Sequence, residues 1–326
     1  MTKADEPVLA IEDLVIEIGG DAIVDRVSLS VDASRILAIV GESGSGKSLT
    51  ALSVLGLLPA AARVARGAVR LRGRDLTHLD EDALAQVRGN DATIIFQEPI
   101  ASLNPLMRVG EQVEEALKLH RGMSRREARA EAVAMMARVG IPDPERRARQ
   151  YPFELSGGMC QRIMIAAALI CRPALLIADE PTTALDVTIQ AQILDLMRRL
   201  RDEVGAAIIL ITHDMGVVAD IADDVCVMYG GRIVERAPVD ALFSKPRHPY
   251  TKLLLATIPT LEGARKTTLR TIEGMVPTAD AWPSGCRFRT RCPLADDVCA
   301  AVPPLDPVAP EHFAACWRSD RVEALA

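Results

Sequence analysis

One octapeptide constrains this chain more than anything else in it. Gly41-Glu42-Ser43-Gly44-Ser45-Gly46-Lys47-Ser48 fits the pattern G-x-x-x-x-G-K-[ST]. The pattern carries meaning only between a buried strand and a helix, and both flanks comply. Ile36–Val40 is an unbroken apolar run, and Lys47 to Leu58 reads as a helix stopped by Pro59. Glycines let successive backbone N–H groups fold around a phosphate at a helix N-terminus, Lys47 places a point charge on the terminal phosphates, and Ser48 can ligate Mg²⁺. The residues expected to hold a nucleotide here are Gly41, Ser43, Gly44, Ser45, Gly46, Lys47, Ser48 and Leu49. The plain alternative, a glycine-rich connecting loop, needs a chance match on the order of one in a hundred for a chain of this length.

Three more apolar runs follow at wide spacing, Ala92 to Phe96, Ala174 to Ala178 and Ala206 to Thr212, with helical patterns such as Ile189 to Val204 between them. Strands separated by helices predict a doubly wound parallel α/β sheet. Ahead of it, Val8–Ile18 and Ala22–Val31 flank Gly19-Gly20-Asp21 and predict an antiparallel hairpin. Val109–His120 and Ser124–Val139 interrupt the alternation as consecutive helices, the second opened by Ser124 and Glu127 in capping-box spacing; they define a helical insertion over about residues 100–160. Gln97, Asp179-Glu180 and His213 each follow a predicted strand, at the carboxyl ends where open α/β sheets bind ligands. Singly, each reads as well as a structural polar group or a solvated cap. With Lys47 they converge on one sheet edge as a pattern for triphosphate hydrolysis: Asp179 holding Mg²⁺ through water, beside Ser48, and Glu180 orienting and deprotonating the attacking water.

Composition narrows the class. The 326 residues are 49% apolar and 25% charged, which excludes disordered, collagen-like and coiled-coil chains. The longest uncharged apolar stretch, Ile163 to Cys171, is far short of a membrane span. The first residues carry acids and no apolar block, so no secretory signal is expected and the cysteines belong to a reducing compartment. A net charge of −6 without a long Lys/Arg run argues against nucleic acid as partner. After about residue 240 proline becomes frequent, and four of the seven cysteines fall between 286 and 316. This predicts an α/β phosphate-binding domain over 1–240 and a small tail domain, 241–326, held by something other than a large core.

Leu155-Ser156-Gly157-Gly158-Met159-Cys160-Gln161-Arg162 opens a helix with Ser156 as its N-cap. With this segment the chain resembles the nucleotide-binding subunits of ABC transporters, whose signature is LSGGQ-like; Met159 replaces the usual fifth residue. The resemblance implies the P-loop ABC ATPase fold, ATP and Mg²⁺ as cofactors, and a second ATPase subunit whose ATP is served by Ser156, Gly157, Gly158 and Gln161. It also makes Ala184-Leu185-Asp186 a D-loop, Gln97 a Q-loop residue that joins the metal, and His213 a switch histidine, with Gln97 and His213 acting at the reacting phosphate. One departure stands out: the family stacks adenine on an aromatic near the position of Ile18, and no Phe, Tyr or Trp precedes Phe96.

Ile95 through Pro105, His248-Pro249-Tyr250-Thr251-Lys252, and the tail from Gly285-Cys286 to Cys316-Trp317 resemble the oligopeptide/dipeptide importer group. That resemblance implies a second, similar ATPase, two membrane permeases contacting Glu98 to Val113, an extracytoplasmic binding protein, and a peripheral place on the cytoplasmic side of the inner membrane. Peptides are the expected cargo, with nickel chelates and glutathione open. A soluble ABC ATPase of DNA repair or translation is the alternative of another class, though no long coiled coil, zinc insertion or tandem ATPase unit is visible. Cys286, Cys292, Cys299 and Cys316 are spaced C-x₅-C-x₆-C-x₁₆-C, without the short knuckles of structural zinc sites, and Cys292-Pro293 is a pair that recurs in ferredoxins. Some relatives with this tail ligate clusters, so a [4Fe–4S] cluster is expected, its negative charge offset by Arg287, Arg289 and Arg291, with zinc and free thiols open. Cys160, Cys171 and Cys226 sit in helix or strand patterns and are expected in the core.

Overall fold

A computed structural model describes residues 6–182, 186–258 and 271–325. Its strands are β1 Leu9–Ile18, β2 Asp21–Val31, β3 Ile36–Val40, β4 Ala62–Leu71, β5 Arg74–Asp75, β6 Ala92–Ile95, β7 Leu175–Asp179, β8 Ala207–Ile211, β9 Asp224–Tyr229, β10 Arg232–Pro238, β11 Asp306–Ala309 and β12 His312–Ala314. The chain divides into two compact units: Met1–Leu9, Val31–Arg35 and Leu71–Leu210 form one, and Ala10–Ser30, Ile36–Arg70 and Ile211–Ala326 form the other. No helix among the described residues is long and apolar enough to cross a membrane.

In the first unit β8, β7 and β6 lie side by side, with β6 and β7 parallel in the register Ala92↔Leu175 to Ile95↔Ala178. The strands are buried on both faces, which is why they read as continuous apolar runs. The two consecutive helices form where the sequence predicts them. Helix Val109–Arg121 ends at Gly122 in the left-handed region, and helix Arg125–Arg138 opens with the complete Ser124/Glu127 capping box. Val109, Val113 and Leu117 of the first and Ala128, Ala132, Met135 and Met136 of the second are buried at helical spacing. Both helices pack on helix Gly157–Leu169.

In the second unit one sheet runs β11-β12-β10-β9-β3, and a second places β2, β1 and β4 side by side. β1 and β2 are joined by Gly19 and Gly20, whose φ of 64° and 98° suit the tight turn of the expected hairpin. β3 and β9 are parallel, Leu37↔Asp224 to Val40↔Val227, whereas β9 and β10 are antiparallel. The helix after the phosphate loop, Lys47–Val54, is shorter than Lys47 to Leu58: Gly56 turns left-handed at φ 62° and ends it before Pro59 acts. The tail contributes to the sheet through β12, which pairs with β10 at Glu235↔Ala314. Around β9 the core is aromatic. Phe288 and Tyr250 pack edge-on or tilted against Tyr229 and each other, ring centroids 4.8 to 5.4 Å apart, and all three are fully buried.

Candidate nucleotide site

The phosphate loop lies in the second unit, between β3 and helix Lys47–Val54. Three glycines take conformations that side chains avoid: Gly41 at φ 149°, Gly44 at 78° and Gly46 at 94°. A Cβ on Gly41 would stand 2.1 Å from the Met228 carbonyl oxygen, so β9 presses directly on the loop. Lys47 Nζ, almost fully buried, donates to the carbonyls of Gly41 at 2.7 Å and Glu42 at 3.0 Å and to Ser45 Oγ at 3.3 Å, curling the loop around its charge. Ser48 and Ser43 are exposed and Leu49 half-buried. The Gly231 N–H donates to the Ser45 carbonyl at 3.0 Å, bracing the loop from the β9–β10 turn. These residues fit MgATP: a curled, glycine-based run at a helix N-terminus, a lysine, and an exposed hydroxyl for the metal. His213, in the same unit, follows β8 and is exposed. The next residue, Asp214, caps helix Met215–Ile221 through the N–H groups of Gly216 at 2.8 Å and Val217 at 3.3 Å.

The first unit brings together Gln97 and Glu180. Gln97 Nε2 donates to Glu180 Oε2 at 2.9 Å, and Glu180 follows Asp179 at the end of β7 with a left-handed φ of 48°. That conformation costs a non-glycine residue about 1 kcal/mol and aims the carboxylate out of the strand line. Ser156 caps helix Gly157–Leu169 by accepting from Met159 N–H at 3.4 Å, as its sequence requires. Gly157 has open space where a Cβ would be, while a Cβ on Gly158 would crowd Ile189 at 3.3 Å. Gln161 is fully buried and donates to the Pro181 carbonyl at 2.6 Å, tying the signature helix to the segment after Glu180. Asp186 caps helix Val187–Val204 through Ile189 N–H at 3.0 Å; Ala184 and Leu185 of the expected D-loop lie outside the described residues.

Two residues at the loop carry no local sequence signal for this role. Tyr250 Oη accepts the Glu42 N–H at 2.8 Å, and Arg291 grips the Glu42 carboxylate with two bonds, 2.7 and 3.0 Å. They stand 208 and 249 residues downstream, beyond the reach of any motif. Of the three tail arginines expected to offset a cluster's charge, Arg289 lines the thiol cavity, while the other two are engaged elsewhere. Arg291 is bound to Glu42, and Arg287 donates to Asp25 and to the Gly230 carbonyl.

The four tail thiols line one small cavity with His248, Phe288 and Trp317. Burial pushes each of Cys286, Cys292 and Cys316 up, Cys292 to about 11 and Cys316 to about 12, and neighbouring thiols add to the rise, so as placed these are neutral thiols. Among the described residues no three His, Cys, Asp or Glu side chains converge to hold a metal ion, and the expected [4Fe–4S] cluster gains no support from ligand geometry. Cys160, Cys171 and Cys226 are buried as expected, Cys226 pushed up to about 12 by burial.

Comparison with known proteins decides the family. The ABC transporter family matches residues 24–183, and the oligopeptide/dipeptide transporter C-terminal region matches 234–299. A peptide import ATP-binding protein of Brucella melitensis is 53% identical over 92% of this chain and 93% of its own length. The chain belongs to the oligopeptide/dipeptide branch of the ABC transporter ATP-binding subunits. Within this branch the oligopeptide transport ATP-binding protein OppD of Escherichia coli is 48% identical over 90% of the chain and 87% of its own length. A solved ATP-binding cassette, a dimer in a post-hydrolysis state with ADP and Pi, superposes with a TM-score of 0.63 at 28% identity, covering 71% of this ABC subunit and 98% of that chain. The P-loop ABC ATPase fold that the signature segment implied is therefore the fold of the family.

Proposed function

We propose that this ABC subunit binds and hydrolyses ATP to drive peptide import across the cytoplasmic membrane, working from its inner face. The relation to peptide import ATP-binding proteins over more than nine-tenths of the chain carries the reading, and the phosphate loop supplies its chemistry. MgATP supplies the phosphoanhydride bond and a cation to share its charge. The loop N–H groups and Lys47 would hold the phosphates, and Ser48, Asp179 and Gln97 are the residues that would hold the metal. Glu180 takes the proton of the attacking water, its carboxylate oriented by the bond from Gln97, and His213 contacts the γ-phosphate. Ser156, Gly157, Gly158 and Gln161 complete the ATP site of a second, similar ATPase, whose own signature completes this one; Asp186 joins the two. Two permeases docking on Glu98 to Val113 and an extracytoplasmic binding protein make up the importer. The ATPase is assigned to 1–240 and the importer-type tail to 241–326.

The test is reconstitution with permeases and partner ATPase in proteoliposomes. Glu180→Gln keeps shape and hydrogen bonding but lacks the proton acceptor, so it binds ATP, stalls as a closed dimer and transports nothing. Turnover near wild type refutes the assignment of Glu180.

An iron–sulfur cluster on Cys286, Cys292, Cys299 and Cys316 is the finer reading of the tail. What supports it is that all four tail thiols line one small cavity. Anaerobic purification with iron, sulfide and zinc analysis decides it. Iron-free protein refutes the cluster.

A further inference from the structure

Glu42 is held on every polar group. Its N–H goes to Tyr250 Oη at 2.8 Å, its carbonyl accepts from Lys47 Nζ at 3.0 Å, and its carboxylate takes both arms of Arg291. Only the lysine belongs to the phosphate-loop motif; the other two come from the C-terminal part of the chain. The Arg291 side chain is 4% exposed and is itself fixed. It donates to the carbonyls of Ile272 at 3.2 Å, Glu273 at 2.8 Å and Gly274 at 3.3 Å and to Tyr229 Oη at 3.3 Å. Its guanidinium lies over the rings of Tyr229 and Phe288, 5.7 and 6.0 Å from their centroids. Tyr229 in turn leads into the Gly230-Gly231 turn that braces Ser45.

We infer that Arg291 is a positioning residue for the phosphate loop: its fork on Glu42 neutralises a carboxylate inside the loop and fixes the loop in the shape that accepts the nucleotide's phosphates. The inference rests on the ATPase reading above. Its physical core is a sign. A carboxylate one residue past Gly41 repels a triphosphate unless a cation covers it, and a planar, always-charged fork covers both oxygens as a lysine cannot. Without Arg291 the loop carries an uncompensated negative charge beside the site of four phosphate charges and loses one of its three anchors. The cysteine-rich tail thereby acts on nucleotide affinity through Arg291, whatever its thiols hold.

The test is a double-variant cycle on the full chain, with MgATPγS binding measured by calorimetry and the fold checked by circular dichroism. Arg291→Met is expected to weaken binding about tenfold, with a steeper loss at low salt, where the exposed charge is least screened. Adding Glu42→Gln to Arg291→Met removes the uncovered charge and is expected to bring affinity within about threefold of Glu42→Gln alone. A staple that only holds the tail in place gives no such rescue. Equal affinity of wild type and Arg291→Met, or a double variant no better than Arg291→Met, overturns the inference while leaving the ATPase reading intact. Wild type that binds no nucleotide overturns both. If Arg291→Met does not fold, Arg291→Lys keeps the charge without the fork: a several-fold loss supports the inference, and wild-type affinity overturns it.

Discussion

Acid should loosen the C-terminal region through a single imidazole. His248 is 1% exposed, and its Nδ1 accepts the Tyr250 N–H at 3.1 Å, capping helix Pro249–Ala256. An acceptor nitrogen cannot carry a proton, and burial, the sole cause of the shift, drives the pKa from 6.5 down to about 3. The sign follows from linkage. Above pH 6.5 the ring is neutral folded and unfolded, and pH does nothing through it. Between 6.5 and about 3 the unfolded chain takes up a proton the folded one refuses, so stability falls as pH falls, by about 1.4 kcal/mol per unit. At pH 5 the loss is about 2 kcal/mol, out of the 5 to 15 that a domain has. The chain's two tryptophans, Trp282 and Trp317, both lie in the tail, so their fluorescence reports this region. Urea titrations at pH 7.5 and 5.0 should show the unfolding free energy dropping in wild type and dropping by about 2 kcal/mol less in His248→Asn, whose Oδ1 can still cap the helix but does not titrate. Identical pH dependence in the two proteins would refute the reasoning.

Gly41→Ala should abolish ATP binding and cost more than about 2 kcal/mol, because the new methyl meets the Met228 carbonyl and φ 149° is closed to alanine; calorimetry and melting check both. Ile18→Tyr should tighten ATP by about 0.5 to 1.5 kcal/mol if the base lies over β1, read by equilibrium binding of ATP and GTP, and no change would place the base elsewhere. The isolated chain should hydrolyse ATP slowly, and a partner ATPase with permeases should raise the rate; a fast, concentration-independent rate contradicts the need for a second signature. Under native conditions maleimide should leave Cys226 unmodified at pH 7.5, since it is buried and its thiol is pushed up to about 12; mass spectrometry of the peptides reads this directly.

What was legible in the sequence obeyed local rules. β3, the Ser124 capping box and the Ser156 cap were readable because strand burial and capping need only neighbouring residues. β4 was missed because Ala62-Arg63-Val64-Ala65-Arg66-Gly67 puts two arginines where an apolar run would stand, both paired with acids of β1, Arg63 with Glu17 at 2.7 Å and Arg66 with Asp13. The grip on Glu42 was invisible for another reason: one partner is an arginine among many, the other a tyrosine in a helix, and only the fold puts them at the loop. The buried Glu235 is similar. Nothing in Val234-Glu235-Arg236 marks it, yet it is fully buried and accepts from the N–H groups of Arg247 at 2.6 Å and His248 at 2.9 Å while meeting His312 Nε2 at 2.7 Å. An acid at that depth requires partners, and sequence alone does not say from where they come.

The pairing of β12 with β10 has a consequence for the life of the protein outside any transport cycle. A sheet that ended at β10 would present open N–H and C=O groups next to Ile233 and Val234, a template for strands of other molecules. The last strand, β11, is a poor template: four residues, with Pro307 and a register shift between Pro307 and Ala309. The tail thus works as a built-in guard against self-association. A chain truncated before His312 should precipitate during synthesis even where its phosphate loop is intact, and attempts to trim this subunit to a minimal ATPase should begin by giving β10 a new neighbour.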